Sequence, residues 1–292
     1  MSANRLFVLV EGKETDPYFY SGIVRPICDA ANIPCDIVRS DFVSGSGGKN
    51  NLIELYKYLH SVGTLTVVSG NAQKSCIFYL DKDIDDLMGK LISSPHLVYT
   101  PFYCAENGLF MYGDLALAAA AASSLDPEPL RTRIPDRDQW RRQKAEHWKR
   151  FLILCLLSHK LGLNCDCHYG GMASPLNAPA DAPTNLTQAG AIESDLQSRS
   201  GLPAAKFKLK LRAITRYVER TYRRGLHDTL FNGKWYLEFL RREISIAAGT
   251  SRHHSPANRT LIASLSLTLN FSAQWTDHFR KPLSDLIKAA SL

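Results

Sequence analysis

The sequence predicts an α/β protein: a mostly parallel sheet with flanking helices, followed by a mainly α-helical C-terminal domain. Three observations predict it. Short apolar runs alternate with amphipathic segments up to about residue 112, the pattern of strands and helices built around a parallel sheet. Two of those runs end abruptly in acid, at Glu11 and at Asp81. Beyond residue 112 helical periodicity dominates. A chain of 292 residues suffices for two cores, and the change of pattern divides it into domains at 1–112 and 113–292.

In chain order, Leu6-Phe7-Val8-Leu9-Val10 is a buried strand closed by Glu11-Gly12-Lys13. Asp16 to about Ala31 reads as a helix: Pro17 suits its first turn, and Tyr18, Ile23, Ile27 and Ala30 form an apolar face. Pro26 predicts a kink or break within it. Asp36-Ile37-Val38 is a short strand. Residues 44–49, SGSGGK, are a glycine-rich loop, and Asn51 to His60 form a helix with Leu52, Leu55, Tyr56 and Leu59 on one face. Ser75 to Leu80 and Leu97 to Thr100 are further strands. The second half opens with an Ala-rich core helix from Leu115, and Asp138 to Leu161 reads as one long helix. Residues 170–203, rich in Gly, Ala, Pro, Asn and Ser, read as a flexible insertion. Helices follow at Ala204 to Arg224, at Gly233 to Ile246 and within 259–292, with a polar loop at 250–258.

Charge divides the chain in the same way. Residues 1–110 hold 9 Lys/Arg against 12 Asp/Glu, a balance of −3, and residues 111–292 hold 26 against 16, a balance of +10. An acidic first part beside a basic second part fits a metal-binding region joined to a polyanion-binding one. Lys208, Arg212, Arg216, Arg220 and Arg224 recur every four residues, a stripe that drifts about 40° per step around a helix. It reads either as a solvated face or as a nucleic-acid contact. No apolar run approaches the roughly 20 residues that span a bilayer, and the N-terminus lacks a secretory layout. Both point to a cytoplasmic protein with no membrane partner.

Side chains two apart on a strand face the same way, so Asp81 and Asp83 after the strand ending at Leu80 form a candidate pair for Mg2+, which prefers carboxylate oxygens and retained water. Glu11, at the tip of a separate strand, adds a third arm, and Glu106 lies near the end of a fourth strand. One carboxylate can hold the ion while another orients or deprotonates a nucleophile. Asp85 and Asp86 read as helix N-terminal charges. Lys13 reads as a phosphate contact or as a solvated turn. The loop at 44–49 is not GxxxxGK[ST], which excludes an ATP-binding P-loop. The 7 cysteines read as reduced thiols, with Cys165-Asp166-Cys167-His168 as an alternative soft-metal cluster. His253 and His254 read as surface residues.

The stretches VEGKETDPYFY, FYLDKDIDD and YTPFYCAEN, with GKWYLEFL in the helical tail, resemble the Toprim-related effectors that accompany ATPases in bacterial phage-defence systems, most nearly the PARIS effectors of the AriB type. The resemblance covers about residues 5–112, plus one short motif beyond. It implies a Toprim-like catalytic domain in which Glu11 is the glutamate, Asp81 and Asp83 the DxD metal pair and Glu106 the acid of a later Glu-Asn motif. Gly12 then permits close backbone approach, and Asp16 is the aspartate that follows the Glu-Gly pair. Beside the resemblance, position and charge make Lys13, Lys208, Arg212 and Arg216, with Gly12, the candidate substrate contacts. The implied activity is Mg2+-dependent phosphodiester cleavage, with tRNA as substrate, an ABC-type ATPase as controlling partner and a homodimer in the active state. A DNA nuclease of the overcoming-lysogenization-defect type and a non-catalytic regulator of the ATPase are the alternatives.

Overall fold

Apolar β-branched and aromatic residues at Leu6 to Val10 form a strand buried from both sides, which only a central position in a sheet allows. The computed structural model, which describes residues 4–45, 48–70, 72–163, 184–249 and 256–290, places it there. The first elements are β1 (Arg5–Val10), α1 (Asp16–Ala30), β2 (Cys35–Arg39), α2 (Ser40–Ser44), α3 (Lys49–Ser61), β3 (Thr66–Ser69), β4 (Ala72–Leu80), α4 (Asp85–Met88), β5 (Leu97–Tyr99) and α5 (Ala105–Tyr112). The helical series continues with α6 (Leu115–Ser123), α7 (Pro127–Arg133), α8 (Arg137–His147), α9 (Lys149–Leu161), α10 (Leu186–Arg199), α11 (Ala204–Arg223) and α12 (Gly233–Ala247). It ends with α13 (Asn258–Leu267) and α14 (Asp277–Ala290).

The five strands form one mostly parallel sheet in the order β2-β1-β4, with β3 and β5 sharing the far side of β4. β3 pairs antiparallel with the start of β4, Thr66 opposite Ser75, and β5 pairs parallel with its end, Leu80 opposite Tyr99. β1 lies parallel to both β2 and β4, Val10 opposite Tyr79. The carboxyl ends of β1, β4 and β5 therefore meet along one edge, where open α/β sheets place their ligands. The two sheet faces carry separate cores. Leu9, Phe78 and Leu80 pack with Leu52 and Tyr56 of α3 on one. On the other, Tyr79 stacks on Tyr20 of α1 at 4.7 Å between ring centroids and donates its hydroxyl to the Phe279 carbonyl of α14 at 2.9 Å.

The chain divides into two compact units, Met1–Gly113 with Asn258–Leu292, and Asp114–Ala257. The chain passes from the first unit to the second after Gly113, and its last two helices belong to the first unit. Phe279 and Leu283 of α14 are fully buried, and the Phe279 ring meets Phe19, Tyr20, Tyr79 and Phe102. The periodicity of α14 marks a helix but not the layer it covers. α1 runs unbroken through Pro26, held on both sides of the proline by the buried Ile23, Val24 and Cys28.

The second unit consists of helices among its described residues. α9 packs on α8, α10 and α11, and α12 packs on α6, α7 and α8. The segment expected to be one helix from Asp138 to Leu161 is two, because Trp148 leaves helical geometry at φ −102° and ψ 12°. Its fully buried indole packs on Phe151, Trp235 and Phe239. Part of the expected flexible insertion is α10, capped by Asn185, whose Oδ1 accepts the Thr187 and Gln188 amides at 3.0 and 3.2 Å. Its Ala189 and Leu196 are buried. The rest of that insertion at 170–183, and Cys165, Cys167, His168, His253 and His254, lie outside the described residues. Among the described residues no helix is long and apolar enough to cross a membrane.

Candidate metal centre

Strand ends and helix starts supply the acids. Glu11 follows Val10 at the end of β1, and its backbone carbonyl accepts the buried Ser40 hydroxyl at 2.7 Å. The same hydroxyl takes the Gly48 amide at 2.8 Å, which ties the residue before α3 to the tip of β1. Asp16, buried in the first turn of α1, folds back so that its Oδ2 accepts the Gly12 amide at 2.6 Å. A side chain at position 12 would place its Cβ 2.9 Å from that carboxylate, so any residue but glycine there displaces the Asp16 carboxylate. Asp81 follows Leu80 at the end of β4 and accepts the Ala105 amide at 2.9 Å, at the amino end of α5, where the helix dipole favours an anion. Glu106 lies in that same first turn, with Oε1 taking the Thr15 hydroxyl at 2.7 Å. Its Oε2 is buried and has no hydrogen-bond partner.

Cys104 precedes α5. Asn107 Oδ1 accepts both its amide, at 3.0 Å, and its thiol, at 3.3 Å. One ligand atom each from Asp81, Cys104 and Glu106 lie within 4.8 Å of one another, and all three residues are buried. Burial, and then the negative charges of Asp16, Glu11, Glu106 and Asp83, push the Asp81 carboxyl well above the usual carboxylate range. The charges of four neighbouring carboxyl groups thus bear on the buried Asp81 carboxyl, an arrangement that a bound cation relieves. Tyr20 of α1 is fully buried, and its hydroxyl has no hydrogen-bond partner. Burial and the charges of Asp16 and Asp81 push that phenol well above its ordinary value.

Asp81 and Asp83 were expected to lie side by side on a strand. They do not, because β4 ends at Leu80 and Asp83 has a left-handed backbone with φ +51°. The turn is held by the Asp83 amide on the Tyr103 carbonyl at 2.7 Å. It sends the Asp83 carboxylate to the Lys49 ammonium, which also binds Asp85 at 2.9 Å. Burial alone would lower the Lys49 pKa, but Asp83, Asp85 and Glu11 outweigh it and raise it. Lys49 of the glycine-rich loop is therefore the cation already built into the centre.

The remaining candidates are dispersed. Lys13 is exposed and lies 3.6 Å from Asp41. Lys208, Arg212, Arg216 and Arg220 are exposed on α11 of the second unit, and Arg224 is exposed just after it. Of the GKWYLEFL stretch, Trp235, Tyr236, Leu237, Phe239 and Leu240 are buried, so that motif is core. The first unit also holds a groove of about 1200 Å³ lined by Leu91, Leu97, His278, Lys281 and Leu286 among others. Its lining includes Lys82 but none of the five acids.

Sequence reasoning missed Thr15, Lys49 and Cys104 as parts of the centre. Cys104 had a signal, two positions before Glu106 in the same motif; Lys49 had none. No protein-family model, no curated protein and no solved structure matches the chain.

Proposed function

We propose that this chain is a divalent-metal-dependent phosphodiesterase of the Toprim kind, an endoribonuclease effector that cuts tRNA in phage defence under the control of an ABC-type ATPase, in the cytoplasm. The observation that carries the catalytic reading is the buried group of Asp81 at the end of β4 with Cys104 and Glu106 at the start of α5, whose ligand atoms lie within 4.8 Å of one another. The PARIS-type system, the tRNA substrate, the ATPase partner and an active homodimer rest on the resemblance of the first three motifs.

Asp81 and Glu106, whose ligand atoms lie within 4.8 Å of each other, would hold Mg2+, and the unpartnered Glu106 Oε2 fits that assignment. A divalent cation there supplies charge neutralisation and Lewis-acid polarisation at a phosphodiester. Glu11, whose backbone is anchored by Ser40, suits the role of orienting an attacking hydroxyl and taking its proton. Asp83, paired with Lys49, fixes the ammonium beside the acids, where it can meet a phosphate oxygen. One observation favours the non-catalytic alternative: Lys49 already neutralises part of the acidic charge.

The test sets total tRNA and supercoiled plasmid side by side, with wild type and Glu11→Ala, in Mg2+ or EDTA, with and without the ATPase partner. Cleavage of tRNA in Mg2+ is expected, falling by roughly 10²–10⁴-fold in Glu11→Ala and to background in EDTA. Cleavage that survives both treatments overturns the reading. Cutting of plasmid alone assigns a DNA substrate, and no cutting of either assigns a regulatory subunit.

The exposed stripe on α11 gives an independent prediction. None of Lys208, Arg212 and Arg216 has an ion-pair partner among the described residues. The double variant Arg212→Glu/Arg216→Glu is expected to weaken tRNA binding. The log–log salt slope should fall by about 1 for each phosphate that the helix no longer neutralises. Filter binding from low to high salt reads it, and an unchanged slope makes the stripe a solvated face.

A further inference from the structure

We propose that Asp81, Cys104 and Glu106 form a subsite for a thiophilic divalent cation of the zinc class within the acidic centre. The inference deepens the metal-centre reading above and shares Asp81 and Glu106 with it.

Three buried side chains offer one ligand atom each, all within 4.8 Å of one another. A tetrahedral ion with bonds of about 2.0–2.3 Å sets its ligands roughly 3.3–3.8 Å apart, so small side-chain rotations close the site. The protein already holds one oxygen of each carboxylate. Asp81 Oδ1 takes the Ala105 amide at 2.9 Å, and Glu106 Oε1 takes the Thr15 hydroxyl at 2.7 Å. Glu106 Oε2 is buried and has no partner, which is the open valence a ligand fills. Such outer hydrogen bonds orient metal ligands in advance.

The thiol decides the class of ion. Magnesium prefers oxygen ligands in octahedral geometry and keeps several waters, whereas sulfur ligands select zinc and softer ions. A serine in place of Cys104 would cap α5 as well and suit a hard cation better. The thiol is also held in position, because Asn107 Oδ1 binds both its amide and its sulfur. On coordination the Sγ–H proton leaves to solvent, sulfur exchanges its contact with Asn107 for the metal, and the Cys104 amide keeps its own. Because Asp81 and Glu106 serve both ions, zinc occupancy competes with magnesium.

Co2+ serves as the spectroscopic probe on the full chain. Titration of the metal-free protein is expected to give a sulfur-to-cobalt charge-transfer band that added Zn2+ bleaches. The band is expected to be lost in Cys104→Ser and Cys104→Ala, and Glu106→Gln is expected to weaken cobalt affinity at least tenfold. The other six thiols are common to wild type and variants, so the difference between spectra is the readout. Circular dichroism checks each variant's fold, and the second substitution at Cys104 stands in where the first fails to fold. Identical spectra for wild type and a folded Cys104 variant, or a band that Zn2+ leaves in place, overturn the proposal. Mg2+-dependent cleavage with identical cobalt spectra defeats this inference alone. A Cys104-dependent band without cleavage defeats the nuclease reading alone.

Discussion

Asp81→Asn is expected to make the metal-free protein more stable, while ending both its response to divalent cations and the proposed cleavage. The Asp81 carboxyl is buried and faces the charges of Asp16, Glu11, Glu106 and Asp83, which raise its pKa. In the unfolded chain it titrates near 3.9. A folded pKa above that value means that stability is fully present below about pH 4 and is lost as pH rises through the raised value. Asparagine removes that loss and still offers Oδ1 to the Ala105 amide, the hydrogen bond that holds this side chain. Urea denaturation in EDTA from pH 4 to 8 should therefore show the two proteins converging at the acid end and the variant ahead at the alkaline end. Added cation should reverse the order. At 100 times its Kd, an ion that binds only the folded state contributes about 2.7 kcal/mol. Wild type should gain that amount and the variant close to none. A variant less stable than wild type at pH 8 in EDTA would make the carboxylate a structural group and remove the charge-repulsion argument.

The parts of this centre that were legible in the sequence are those fixed by strand chemistry. Leu6 to Val10 can only be an inner strand, so Glu11 must lie at a strand tip, and the same logic places Asp81. Parallel pairing of β1 with β4 then brings both tips to one edge. Glu106 followed from its closeness to a fourth strand. What failed was the local extension of that logic. Two residues past the end of β4 the chain is no longer extended, and the left-handed turn at Asp83 hands its carboxylate to Lys49. No periodicity in a sequence reports such a turn at a non-glycine residue, because the Asp83 amide bond to the Tyr103 carbonyl is a tertiary contact.

The same division holds for the fold. β3 was missed although Thr66-Val67-Val68 precedes a Gly-Asn pair, which is a hairpin signal. The break at Trp148 and the placement of α14 had no local signal, since each is set by aromatic partners distant in sequence. Helix α10 lay in a stretch judged by composition alone. Its Asn185 cap and the spacing of Ala189 and Leu196 were readable, but Gly, Ser and Ala around them masked the pattern.

In the second unit the largest stability effect is expected at Glu243, which is 4% exposed and is the shared acceptor for three groups. Lys144 Nζ lies at 2.9 Å, Arg133 Nε at 2.7 Å and Trp140 Nε1 at 3.2 Å. Burial alone would raise the Glu243 carboxyl, but these donors outweigh it and lower it. Glu243→Ala leaves the buried Lys144 ammonium uncompensated, which costs about 3–5 kcal/mol for a buried pair broken on one side. Arg133 is better placed to escape, with a third of its side chain already exposed. The double variant Lys144→Met/Glu243→Leu removes both buried charges and should recover most of the loss. The pH sense is opposite to that at Asp81. A lowered folded pKa stabilises above the unfolded value near 4.3 and is lost as pH falls through the folded one. The gap between wild type and Glu243→Ala should therefore narrow in acid. Of the 4 tryptophans, Trp140, Trp148 and Trp235 lie in this unit, so tryptophan fluorescence during urea unfolding reads the effect. A loss below about 1 kcal/mol, the scale of surface ion pairs, would show that the network is hydrated and that the unit rests on its aromatic core instead.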